Sequence, residues 1–152
     1  MGYKRPVSVL VVIHTPEAQV LLIERAAQPG FWQSVTGSQE ESDASLLRTA
    51  QREVREETGI AAPQSAFVDW RLSNTYEIYP AWRHRYGPGV SHNTEHVFSL
   101  CVRAGTPVRL SPREHRAQQW LDRLAAADAC FSASNSEALL LLPRLGRWTP
   151  AL

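Results

Sequence analysis

Apolar positions follow two rhythms along this chain, and the change between them marks out its elements. Val7 to Ile13 is a short, β-branched run with one polar interruption at Ser8, as expected of a strand buried on both faces. Thr15 to Gln19 reads as a turn, and Val20 to Ile23 as a second strand forming a hairpin with the first. Gln28-Pro29-Gly30 breaks the chain, and Phe31 to Thr36 reads as a short strand ending at Gly37. From Ser45 to Thr58 the period lengthens: Leu47, Ala50 and Val54 form one stripe, and Gly59 stands where a helix C-terminal glycine belongs. Phe67 to Tyr79 and Thr94 to Val102 return to the strand pattern. Between them lies a basic, aromatic loop, Trp82 to Gly89. Val108 to Leu110 and Ala117 to Leu121 read as short strands, and Ser134 to Leu142 as a helix capped by Ser134 or Asn135. Strands before and after a central helix predict an α/β (α+β) fold with a mixed sheet and helices packed on it.

The length of 152 residues suits a single domain, 1–152, with no repeat or linker to divide it. Charge narrows the partners. With 16 Lys and Arg against 15 Asp and Glu, the net charge is +1, which argues against nucleic acid or an anionic membrane as a partner. No apolar run reaches the ~20 residues of a membrane span, and no signal-peptide cleavage site follows Ile13. Cys101 and Cys130 have no metal or redox spacing and read as buried thiols of a reducing cytoplasm.

The candidate chemistry sits on the central helix. At ~100° per residue, Glu53 and Glu57 fall at the edge of the apolar stripe, facing each other at i,i+4 with no basic partner on the helix. Glu56 pairs with Arg52 at the same spacing. Two like charges so placed destabilise an exposed helix by ~0.2–0.5 kcal/mol, and a divalent cation reverses that sign. The helix alone fits a solvated acidic face equally well.

The upstream glycine separates these readings. Gly37 … Asp43 … Arg52-Glu53-Val54-Arg55-Glu56-Glu57-Thr58-Gly59-Ile60 resembles the Nudix box, G-x₅-E-x₇-R-E-U-x-E-E-x-G-U, with U a bulky apolar residue. The second half matches at every specified position. The first half departs twice: Asp43 replaces Glu, and eight residues rather than seven separate it from Arg52. The resemblance implies an α/β/α sandwich and metal-dependent hydrolysis of a phosphate anhydride. It makes Glu53 and Glu57 metal ligands with the Gly37 carbonyl, Glu56 a further ligand or an activator of water, and Arg52 the residue that holds the carboxylates. The implied metal is Mg²⁺, with Mn²⁺ as a substitute.

Tyr3 to Ile13, Phe31 to Ser38, Arg83 to Tyr86 with Pro88 to Val90, and Asn93 to Glu95 resemble a narrower group within that family. Its members hydrolyse dihydroneopterin triphosphate to the monophosphate and pyrophosphate, in folate biosynthesis. That resemblance implies substrate contacts at Lys4, Thr36, Ile78, Tyr79, Pro80, Ala81 and Ser132. The chemistry of a triphosphate on a flat ring adds Arg25, Trp32, Arg83 and Arg85, although the arginines also fit a solvated surface and Trp32 fits a core aromatic. The resemblance also returns Glu114 to the metal from outside the box, as ligand or as an alternative base. If extended, the basic segment places Arg83 and Arg85 on one face. Rival readings are a broader nucleoside triphosphate pyrophosphohydrolase and a nucleotide-binding module without catalysis. His92 and His96, on a strand-like stretch, make a poor zinc pair.

Overall fold

The computed structural model describes residues 2–150. Strand β1 (Val7–His14) lies at the centre of a seven-stranded mixed sheet whose main path runs β3-β2-β1-β6-β5. Its parallel partner is β6 (His92–Cys101), in register from Val7 opposite Thr94 to His14 opposite Cys101. The other flank of β1 is shared. β4 (Val35–Ser38) pairs with it antiparallel from Ser8 to Val11, and β2 (Gln19–Arg25) meets it only at His14 and Val20. The expected hairpin therefore splays, and β2 pairs along its length with β7 (His115–Asp122). β5 (Phe67–Glu77) borders β6, and β3 (Trp32–Gln33) borders β2.

The uninterrupted apolar run of β1 serves two cores. Val9, Val11 and Ile13 face a layer with Ala50 and Val54 of α1 (Leu46–Thr58). Leu10 and Val12 face the opposite layer, with Ala126 of α2 (Arg123–Ala129) and Leu139 and Leu142 of α3 (Ala133–Leu145). Period-two alternation thus fills both sides of the sheet and gives an α/β/α sandwich. Among the described residues no helix is long and apolar enough to cross a membrane.

α1 has the expected ends. The Ser45 side chain accepts from the Arg48 amide, and Gly59, at φ 76°, donates its amide to the Arg55 carbonyl. Elsewhere the expectations change. Phe31 to Thr36 is two strands, broken at Ser34, because Asn135 of α3 takes the Ser34 amide (2.8 Å) and donates to its hydroxyl (3.0 Å). Val108 to Leu110 is irregular. The basic segment forms a 3₁₀ turn over Pro80–Arg85. α2 follows β7 directly, with Asp122 as its cap. α3 starts earlier than expected, at a Ser132 cap, and runs through Pro143 to Leu145.

That proline has no amide for the Leu139 carbonyl four residues back. Arg123 of α2 donates to this carbonyl instead, at 3.2 Å. Arg123→Ala should accordingly destabilise the fold by about 1 kcal/mol, without altering turnover. Urea denaturation measures this, and an unchanged midpoint would show that the carbonyl finds water as readily as Arg123.

Candidate active site

One guanidinium organises the acidic end of α1. Arg52 donates through Nε to Asp43 Oδ1 (3.0 Å) and through Nη2 to Asp43 Oδ2 (2.9 Å) and the Ser38 carbonyl (3.0 Å). Its Nη1 donates to Glu53 Oε1 (2.8 Å) and Glu56 Oε2 (3.1 Å). The loop leaving β4 and the carboxylates of α1 are thereby fixed to one planar group. Asp43, buried, also accepts from the Glu40 amide and the Thr49 hydroxyl, each at 2.9 Å. Hydrogen bonding to Arg52, more than its other partners, lowers its pKa to about 2, against the cost of burial.

The helical stripe carries Glu53 and Glu57 inward, to 9% and 5% exposure. Burial raises both pKa values. For Glu57 the rise is large, reinforced by repulsion from Glu53 and from Glu114, while a hydrogen bond from the Thr36 backbone opposes it. Glu57 Oε1 is buried with no hydrogen-bond partner. Gly37 passes so close that a Cβ there would overlap the Glu53 carboxylate, so only glycine lets the backbone approach. An orphaned carboxylate oxygen beside a backbone that crowds another carboxylate is a donor set suited to a hard divalent cation. Among the described residues no group of three or more His, Cys, Asp or Glu side chains is arranged to hold a metal ion.

These carboxylates line a cavity of about 1160 Å³. Glu56 and Glu114 also line it, as do Lys4, Arg25, Thr36, Ile78, Tyr79, Arg85 and Ser132. Lys4, Arg25 and Arg85 crowd one another. Burial lowers the pKa of Lys4 and of Arg25, and in both the charge of Arg85 adds to the effect. Among the described residues none of the three has a carboxylate within 4.0 Å. Unneutralised cations of this kind suit an anionic ligand.

Four expected contacts lie off the cavity. Trp32 packs against the α2–α3 core and bridges Cys130. Pro80 and Ala81 are exposed on the 3₁₀ turn. Arg83 points elsewhere, donating to the Ile78 carbonyl (3.0 Å) and to Glu77 (2.7 Å). The shared face of Arg83 and Arg85 required an extended chain. At three residues per turn, Tyr79, Trp82 and Arg85 fall in line instead, and all three line the cavity.

Several lining residues escaped the sequence reading. Trp82 lies under the guanidinium of Arg25, 4.8 Å from its ring centroid, and near that of Arg85 at 5.9 Å. Phe131 joins Trp82 and Tyr79 at 6.4 and 6.5 Å between ring centroids. Asn93 and Glu95 share one face of β6, and their i,i+2 spacing ahead of an apolar run was the available signal. His115 is buried with Nδ1 unpartnered, and burial together with Arg25 lowers its pKa to about 4.

A sandwich whose cavity is lined by a glycine, an arginine and paired glutamates together with a cluster of cations defines a class, and the NUDIX domain model matches residues 4–142. The chain belongs to the Nudix family. It is 44% identical over 140 residues to the dihydroneopterin triphosphate diphosphatase of Escherichia coli K12, covering 90% of this chain and 91% of that protein. The enzyme of the same name from Haemophilus influenzae is 39% identical over 142 residues, covering 91% and 88%. The solved E. coli dihydroneopterin triphosphate pyrophosphohydrolase superposes with a TM-score of 0.85 at 40% identity, over 95% of this chain and 98% of that one. The MutT protein of Methanosarcina mazei Go1, at 23% identity and a TM-score of 0.68 over 94% of each chain, shares the fold.

The native pKa of Asp43, about 2 against an ordinary 3.8, fixes the sign of a pH effect. Its contribution to stability is complete above pH 3.8 and is lost as pH falls towards 2. Asp43→Asn should be less stable than the wild type by about 1.5–3 kcal/mol at neutral pH. The gap should close on acidification. Chemical denaturation at several pH values tests this, and a gap independent of pH would mean that charge is not what Asp43 contributes.

Proposed function

We propose that this chain hydrolyses dihydroneopterin triphosphate to dihydroneopterin monophosphate and pyrophosphate, in the cytoplasm, with Mg²⁺. The observation that carries the reading is the cavity's composition. Carboxylates, cations with no carboxylate within 4.0 Å and aromatic rings share its lining, and that set matches a triphosphate joined to a flat heterocycle. The likeness to enzymes named for this reaction, over nine-tenths of the chain, supports the same substrate. The free cysteines Cys101 and Cys130 suit a reducing compartment.

Glu53, Glu57 and Glu114, with the Gly37 carbonyl, are the donors assigned to the metal. Such an ion, when bound, supplies charge neutralisation on the phosphate oxygens and a lower pKa for the attacking water. Lys4, Arg25 and Arg85 hold the phosphate chain, with Thr36 and Ser132 as hydroxyl partners and Ile78 and Tyr79 beside the ring. Arg52 keeps Glu53 and Glu56 in position. Glu56, with its carboxylate open to the cavity, accepts the proton of water as water attacks the phosphate chain. The bond between the α-phosphoryl group and the pyrophosphate unit breaks, and pyrophosphate leaves.

Glu57→Gln removes the buried charge that repels Glu53. Its melting temperature in metal-free buffer should equal or exceed that of the wild type, while kcat falls about a hundredfold or more. Retention of wild-type turnover would remove Glu57 from the metal site. Added Mg²⁺ should raise the melting temperature of the wild type and raise it much less for Glu53→Gln, because the ion binds only the folded site. Equal shifts would place the cation elsewhere.

A further inference from the structure

Glu95 is a buried carboxylate that the hydrolytic chemistry does not use. It is 5% exposed, on β6, in the wall of the cavity. One oxygen, Oε1, accepts from the Ser134 hydroxyl at 3.0 Å. Among the described residues no Lys, Arg or His lies within 4.0 Å of it, and its second oxygen takes no hydrogen bond. Burial accordingly raises its pKa, and Ser134 only partly opposes this.

The neighbouring side chain has the same excess of acceptors. Asn93, on the same face of β6 and 2% exposed, donates through Nδ2 to Ser8 Oγ (2.8 Å) and the Tyr76 hydroxyl (2.9 Å). Its Oδ1 has no partner. Buried polar atoms are ordinarily paired, so an orphaned amide oxygen beside a carboxylate that has a single donor points to donors that arrive with a ligand. The surroundings define its shape. Ser134 is three residues beyond Phe131, whose ring meets Tyr79 and Trp82. The acceptors of β6 are thus joined through Ser134 to the segment that carries Phe131, and acceptors and rings line one cavity, as suits a flat, hydrogen-bonding heterocycle.

We propose that Glu95 reads the 2-amino-4-oxo edge of the pterin, accepting from N3–H and from the 2-amino group. Those two donors lie side by side on one edge and match the two oxygens of a carboxylate. Guanine presents the same edge. Adenine presents an acceptor at N1 and leaves Glu95 facing a lone pair. Specificity for the ring thus resides on β6, apart from the phosphate chemistry of α1. The inference rests on the pterin triphosphate reading above. A tether for α3 is too small a role for this residue, because a neutral acceptor would hold Ser134 equally well.

The test compares kcat/KM for dihydroneopterin triphosphate with that for its counterpart bearing oxygen in place of the 2-amino group. The wild type should favour the amino compound by about tenfold or more, chiefly through KM. Glu95→Gln keeps an acceptor for Ser134 but sets an N–H₂ against the ligand's donors, so the preference should collapse towards unity. A merely structural defect lowers both values together and leaves their ratio intact. Equal values in the wild type, or an unchanged ratio in the variant, would overturn the assignment. Should the variant not fold, fluorescence titration of the wild type with neopterin and 2-deaminated neopterin decides, tighter binding of neopterin supporting the assignment and equal or absent binding refuting it. If the wild type releases no pyrophosphate from dihydroneopterin triphosphate, the proposed activity fails. The same titration then judges Glu95 separately.

Discussion

The side chain of Arg52 is the point through which loop, helix and cavity are joined. Its five shortest hydrogen bonds reach Asp43 twice, Glu53, Glu56 and the Ser38 carbonyl. An arginine suits this position because a rigid fork can serve several acceptors in one plane, where a lysine could not. A single cation still cannot neutralise the carboxylates around it. Glu57 receives nothing from Arg52 and remains buried beside Glu53. The folded chain therefore holds a negative pole that Arg52 does not discharge, and the charges of Glu53 and Glu57 only partly offset the burial and crowding of Lys4 and Arg25. Under the proposed function a polyphosphate would satisfy the cations and a divalent ion the carboxylates, so that each would improve the site for the other.

The departures in the first half of the box become intelligible in this geometry. Asp43 is one methylene shorter than the family's glutamate, and one extra residue precedes Arg52. The shorter side chain nevertheless reaches the guanidinium, and the Thr49 hydroxyl and Glu40 amide hold it there. With both changes present the chain makes this ion pair, and the aspartate is buried. Seen in sequence, each is a mismatch. The ion pair is visible only once the loop has a path.

Legibility followed the range of the interactions. α1 was plain because its cap, stripe and terminal glycine are local, and the buried face of Glu53 and Glu57 follows from helical period alone. The strand pattern located β1 and β2, but not their separation, because that depends on β4 and β7 competing for their edges. Ser34 broke its strand through a residue 101 positions away. The basic segment misled for a related reason. Alternation put Arg83 beside Arg85, but Pro80 opens a 3₁₀ turn that returns Arg83 to Glu77. The true spacing of three was present in Tyr79, Trp82 and Arg85, and nothing in composition favoured it over a spacing of two.

The parallel pairing of β1 with β6 explains how one cavity combines two chemistries. Ser8 on β1 stands opposite Glu95 on β6, and on its other side opposite Ser38 of the strand that leads into the box loop. A single position of the central strand thus lies between the carboxylates of α1 and the acceptor wall of β6. Rigid strands on either side hold the two ends of a ligand at a fixed separation, whereas loops alone would leave that distance to fluctuate. The phosphate end is built from groups that any polyphosphate and its metal would satisfy, so it cannot choose among them. On the proposed reading, discrimination would come from the rings and buried acceptors of the wall that includes β6.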